Sequence, residues 1–277
     1  MNLRKLIFTE CDAYKAGKKI TPKGVMVHST GANNPNLKRY VGPDDGLLGE
    51  NKYGNHWNRP NVGASVHAFI GKLNDGSIAT YQVLPWNYRA GHCASGKNGS
   101  ANNTHIAFEI CEDGLSDPVY FGKVYQEAVE FTAYLCKEYN LDPMADGVVI
   151  CHSEGHKRGI ASNHSDVMHW FPKHGKSMDT FRADVKTLLD ADKKTEPTSK
   201  SDYTLGMRYL KKGCKGEDVR ALQILLIGRG FSCGNAGADG SFGSATDSAV
   251  RAFQKANNLG VDGVVDEATM GCLLSVS

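Results

Sequence analysis

Residues 190–204 read Asp-Ala-Asp-Lys-Lys-Thr-Glu-Pro-Thr-Ser-Lys-Ser-Asp-Tyr-Thr, a run without apolar periodicity and with a proline in its middle. Such a stretch has nothing to bury, so it divides the chain into a long N-terminal part and a short C-terminal one. A chain of 277 residues has room for about two domains. We expect them at residues 1–190 and 205–277, joined by a linker over 191–204. Immediately before the break, Met178, Phe181, Val185, Leu188 and Leu189 recur at spacings of three and four. That spacing predicts a helix with one apolar face, which Ser177 can cap.

The long part alternates between two periodicities. Val25 to Ser29, Val66 to Gly71, Ser77 to Gln82, His105 to Cys111 and Val148 to His152 are apolar runs of strand length, and Asn74-Asp75-Gly76 supplies hairpin turn chemistry between the second and third. Val124, Ala128, Val129, Thr132, Leu135, Cys136 and Tyr139 form a helical stripe that stops near Asn140 and Pro143. Strands interleaved with helices predict a layered domain of the α/β or α+β class. The short part carries a weak internal repeat, Ala238-Asp239-Gly240-Ser241-Phe242-Gly243 and then Val261-Asp262-Gly263-Val264-Val265, each followed by Ala-Thr. With apolar stripes at Val219, Leu222, Leu225 and Leu226 and at Ala249, Val250 and Phe253, it reads as a small all-α module of three helices, near the lower size limit for an independent core.

Composition narrows the function. Hydrophobic residues make up 40% and charged residues 22% of the chain, which is globular rather than disordered composition. Thirty-two Lys and Arg against 30 Asp and Glu leave a formal charge of +2, too little to draw the protein to nucleic acid or to an anionic membrane. No apolar run approaches the roughly 18 residues of a membrane span. Met1 to Thr9 lacks the apolar core and small-residue cleavage site of a signal peptide, so we expect synthesis in the cytoplasm and any export by another route. The eight cysteines are scattered without a Cys-x-x-Cys pair, and we read most of them as small buried hydrophobes.

Two of the ten histidines stand where apolar strands end, His28 after Val25-Met26-Val27 and His152 after Val148-Val149-Ile150-Cys151. Strand ends are where scaffolds present reactive groups, and a catalytic zinc ion takes three protein ligands and leaves one position open. The stretch from His164 to Phe171 offers a third ligand in Asp166, with His164 and His169 as competitors that spacing does not separate. His152 and His156 stand at helical i, i+4 spacing, but no Glu follows the first, and Gly155 argues against a helix there. Glu109 is a carboxylate inside an apolar run, where burial is costly without a partner or a task. It is either half of a buried salt bridge or a general base. His67 and His105 are expected to be structural or to support other groups, and Trp57, Trp86 and Trp170 to pack in the core or at a rim.

Val27-His28-Ser29-Thr30, Ala64-Ser65-Val66-His67, Ala90-Gly91-His92, the segment from Asn103 to Glu109 and the segment from Val149 to His152 together resemble the type 2 N-acetylmuramoyl-L-alanine amidases. That zinc family includes phage endolysins, bacterial cell-wall amidases and peptidoglycan recognition proteins. The likeness covers about Lys23 to Phe171 and implies a mixed central sheet flanked by helices. It implies Zn2+ on His28, His152 and Asp166, with Glu109 as the catalytic carboxylate. Where many members have Lys two positions before the third ligand and Asp-Pro-Gly at it, this chain has His164 and Asp166-Val167-Met168, while Phe171 keeps the family's aromatic. The resemblance therefore puts His164 at the oxyanion-stabilising position.

The short part is similar to the peptidoglycan-binding module attached to many wall hydrolases, on Gly216-Glu217-Asp218-Val219, Leu222-Gln223, Asp239-Gly240-Ser241-Phe242-Gly243, Phe253-Gln254 and Asp262-Gly263-Val264-Val265. Asp266 and Met270 depart from it, standing where Gly and an aromatic are common. The two resemblances imply hydrolysis of the amide between N-acetylmuramic acid and L-alanine of peptidoglycan; with no signal peptide expected at Met1 to Thr9, we expect an endolysin of phage or prophage origin that reaches the wall after holin-mediated release. The other readings are a peptidoglycan receptor without catalysis and a zinc peptidase that cuts within the stem peptide.

Overall fold

The computed structural model describes residues 1–195 and 205–275. Internal contacts group the chain into two compact units, Met1–Asp190 and Ala191–Ser277. In the first unit a short strand β1 (Leu3–Lys5) and a helix α1 (Asp12–Ala16) precede β2 (Gly24–Asn33), β3 (Ala68–Lys72), β4 (Ile78–Gln82) and β5 (His105–Glu112). Helix α2 (Pro118–Glu138), β6 (Val149–Cys151), α3 (His152–Lys157) and α4 (Met178–Thr195) follow. The sheet has six strands in the order β1-β4-β3-β5-β2-β6 and is mixed, because β3 and β4 form an antiparallel hairpin while the other pairs are parallel.

Each face of this sheet is buried, which explains why its central strands read as continuous apolar runs. Val25, Val27, Ile106 and Phe108 pack on one side with Val124, Ala128, Phe131 and Leu135 of α2 and with Phe181 and Val185 of α4. Met26, Phe69, Tyr81, Ala107 and Ile150 pack on the other with Leu37, Tyr40 and Leu48 from the long β2–β3 connection. Asp117 starts α2 by accepting bonds from Val119 N–H (2.8 Å) and Tyr120 N–H (3.1 Å) ahead of Pro118. Ser177 Oγ accepts from Thr180 N–H (3.2 Å) at the start of α4.

Two expectations need correction, and two short elements went unread in the sequence. β1 and α1 lack a legible pattern because neither exceeds five residues. Residues 152–157 are helical despite Gly155: a Cβ at that position would stand 2.7 Å from Met26 Cε and 3.1 Å from Ala161 Cβ, so the glycine permits close docking rather than breaking the helix. Helix α4 continues to Thr195, five residues into the expected linker, because Ala191 and the following lysines are good helix formers. The rest of that linker lies outside the described residues.

The second unit contains α5 (Glu217–Gly228), α6 (Ser244–Ala256) and α7 (Glu267–Leu274) around Leu210, Val219, Leu222, Val250, Phe253 and Leu273. Its sequence repeat is a repeated hydrogen-bond cradle. Gln223 Nε2 donates to Asp239 Oδ1, Ser241 O and Thr246 Oγ1, and its Oε1 accepts from Gly240 N–H. Gln254 does the same with Asp262, Val264, Thr269 and Gly263. All eight cysteines are free thiols, six of them buried. No helix among the described residues is long and apolar enough to cross a membrane.

Candidate metal centre and cleft

The parallel strands β2, β5 and β6 all end on one edge of the sheet, the edge at which α/β folds present ligands. Side chains alternate across a strand, so His28 shares the face of Met26, and Glu109 that of Ala107. The two are register partners and stand side by side. His152 follows β6 as the first residue of α3. Asp166 comes from the loop after α3, where its peptide bond to Val167 is cis.

These elements bring His28, His152 and Asp166 together, all buried. Asp166 Oδ2 lies 2.8 Å from His28 Nδ1 and 3.5 Å from His152 Nδ1, and the two Nδ1 atoms are 3.2 Å apart. Ligand atoms 2.0–2.1 Å from a zinc ion at tetrahedral angles lie about 3.3 Å from one another. Two Nδ1–H groups could not face each other so closely, so at least one ring presents a lone pair there, as a metal ligand must. The donor set and its spacing fit a divalent zinc-like ion.

The far ring nitrogens are also held. His28 Nε2 lies 3.0 Å from His92 Nδ1, and His152 Nε2 lies 3.1 Å from Ser162 Oγ, which donates to Cys93 O at 3.2 Å. With Nδ1 of each ring turned to the common point, each Nε2–H is a donor, and these contacts fix tautomer and tilt. Burial lowers the His28 pKa, and the neighbouring Asp166 carboxylate opposes that only in part. Burial alone would raise the Asp166 pKa, but the adjoining His152 and His28 rings outweigh it and hold the carboxyl well below the usual range. Burial and the nearby His28 push His92 well below an ordinary imidazole.

Around this centre runs a cleft of about 720 Å³ lined by Glu109, His92, Ser162, His164 and His169 besides the three clustered groups. Glu109 is the one position of β5 that is not fully buried, and its Oε2 has no hydrogen-bond partner. The salt-bridge reading of Glu109 fails: the nearest charges are the carboxylates of Asp166 and Glu112, which add to burial in raising its pKa well above the ordinary value. His164 is 64% exposed, stacks on the His152 ring at 4.7 Å and keeps its Nδ1 4.0 Å from Asp166 Oδ1. His169 turns to Glu112, with Nε2 2.9 Å from Oε1. Neither competitor joins the cluster of three.

His156 Nδ1 lies 3.3 Å from Ala161 O, away from the centre. His67 bonds to Tyr88 O and Ala107 N–H, and His105 to Gly147 O and Thr104. Trp170 is fully buried, Trp86 packs on Phe131 and Trp57 on Phe69. Sequence reasoning missed Ser162 and Glu112. A lone serine carries no signal, whereas a second carboxylate three residues after Glu109 in the same apolar run was a usable one.

Residues 18–170 match the N-acetylmuramoyl-L-alanine amidase family, and residues 215–273 match a peptidoglycan binding domain family. The N-acetylmuramoyl-L-alanine amidase CwlL of Bacillus licheniformis is 32% identical over 224 residues, which cover 77% of this chain but only 57% of CwlL. The N-acetylmuramoyl-L-alanine amidase CwlH of Bacillus subtilis is 29% identical over 209 residues, 72% of this chain and 73% of CwlH. The solved structure of the Staphylococcus aureus hydrolase AmiA in complex with its ligand shares the fold, with a TM-score of 0.50 at 19% identity over 72% of this chain and 87% of that one.

Proposed function

Because this chain belongs to the N-acetylmuramoyl-L-alanine amidase family, we propose that it is a zinc hydrolase that cuts the amide between N-acetylmuramic acid and L-alanine of peptidoglycan. The observation that carries the reading is the approach of His28 Nδ1, His152 Nδ1 and Asp166 Oδ2 to within 2.8–3.5 Å of one another beside an unpartnered carboxyl in a cleft. His28, His152 and Asp166 would hold Zn2+, which when bound supplies a Lewis acid and water that ionises near neutral pH.

The rest of the chemistry falls to the chain. Glu109 Oε2 takes the proton of the attacking water and passes it to the leaving nitrogen of L-alanine, a task for a carboxyl whose proton affinity burial has raised. His164, at the open side of the His152 ring, donates to the carbonyl oxygen as negative charge develops there. His92 and Ser162 position the two imidazoles through their far nitrogens. Residues 205–277, which overlap the second family match, form the wall-binding module, and residues 191–204, which begin with the end of α4, act as the linker. An amidase joined to such a module suits action on assembled wall, and we assign the protein to the endolysins of phage or prophage origin.

Digestion of purified wall with and without a chelator tests this reading. New L-alanine amino ends and glycan lactyl carboxylates, identified by mass, should form without chelator, vanish with it and return with added Zn2+. Ends that arise inside the stem peptide would make the protein a peptidase, and no new ends would leave it a receptor.

A further inference from the structure

A second pocket, of about 270 Å³, opens beside the cleft and shares Gly63, Ala64 and Gly91 with it as a common wall. Gly91 immediately precedes His92, whose ring contacts His28, so the small pocket adjoins the reaction centre. Lys18 and Arg89 line it, and a main-chain bond of 2.8 Å from Arg89 N–H to Lys18 O joins their backbones. Arg89 is oriented as well, because its Nε–H donates to Asn103 Oδ1 at 2.7 Å. Neither cation has an ion-pair partner among the described residues. Asp12 also lines the pocket, with Oδ2 accepting from Asn61 N–H at 3.0 Å. Two positive charges thus face one negative charge there.

Two cations against one carboxylate leave the pocket lining with a net positive charge, which favours an anion there. A guanidinium fixed through Nε still has terminal N–H groups for a carboxylate. In peptidoglycan the second stem residue is linked through its γ-carboxyl, which leaves its α-carboxylate free unless it is amidated. At up to about 3.6 Å per extended residue, that group lies about 7 Å from the bond to be cut, within reach of an adjoining pocket. Resting on the amidase reading above, we propose that the Lys18–Arg89 pocket binds this α-carboxylate and so selects stems that carry it over amidated stems.

Two N-acetylmuramoyl tripeptides that differ only in D-glutamate against D-isoglutamine at the second position test this with the full chain. The parent should show kcat/KM about tenfold higher for the acid, and Lys18→Gln/Arg89→Gln should shrink that ratio to about twofold or less, with Arg89→Lys in between. A parent that does not discriminate, or a double variant that discriminates as the parent does, overturns the proposal. If neither compound is cut, the amidase reading fails, and binding of the two free tripeptides followed by amide NMR shifts still decides. Tighter binding of the acid by the parent but not by the double variant supports the pocket, and equal binding overturns it.

Discussion

Burying a carboxyl group away from any partner costs several kcal/mol, yet Glu109 Oε2 is left in that condition on the rim of β5. A protein keeps such a group when the group has work to do. Glu109→Gln preserves shape and removes the proton acceptor of the proposed mechanism, which predicts that single-turnover cleavage of a muropeptide slows by about 10²–10⁴-fold while bound zinc stays stoichiometric. If His164 donates to the developing oxyanion as proposed, His164→Ala should cost about 3 to 4 kcal/mol of transition-state stabilisation, read from kcat/KM. Turnover within about threefold of the parent would remove His164 from the mechanism. The oddity of Glu109 could be seen in the chain alone, because an acid in Ile-Ala-Phe-Glu-Ile breaks an apolar run. The choice among His164, Asp166 and His169 could not, because the three sit within six residues and only the path of the loop aims one of them at His28 and His152.

Helix α3 shows how an element can mislead at sequence level. Glycine is a poor helix former in isolation, but at position 155 the space a side chain would need is taken by Met26 and Ala161. Gly155→Val should therefore lower stability by about 2 kcal/mol or more, measured by urea unfolding. A variant as stable as the parent would show that α3 docks less tightly than these distances require. His67, just before β3, is buried and hydrogen-bonded, as its structural reading expects. Burial holds its pKa down to about 4, against about 6.5 in an unfolded chain. The unfolded state therefore binds a proton that the folded state refuses, and the stability this ring allows is complete above about pH 6.5 and is lost as pH falls toward about 4. The loss approaches about 3 kcal/mol, and His67→Gln should flatten the parent's decline over that window in urea midpoints recorded against pH.

At the scale of the whole molecule, the proposed function divides the labour between the two matched families on this chain, one to hold the wall and one to cut it. A catalytic unit tethered to an insoluble polymer works at high effective concentration, so removal of residues 205–277 should reduce release from walls by about tenfold or more and small-muropeptide cleavage by no more than about twofold. Equal losses on both substrates would refute the tether. The division itself could be read from the chain, since a polar stretch and a change of repeat mark it, and the apolar runs announced a layered fold because periodicity reports burial directly. The small strand and helix at the start escaped, being shorter than the window over which periodicity is defined. The sequence determined which chemistry was possible, because residue types fix donors, acceptors and charges. Tertiary structure alone decided which atoms share a point: His28, His152 and Asp166 are more than a hundred residues apart at the extremes and meet only because parallel strands end on one edge. Distance in space between such groups is set by packing, and packing leaves no local mark on the order of residues.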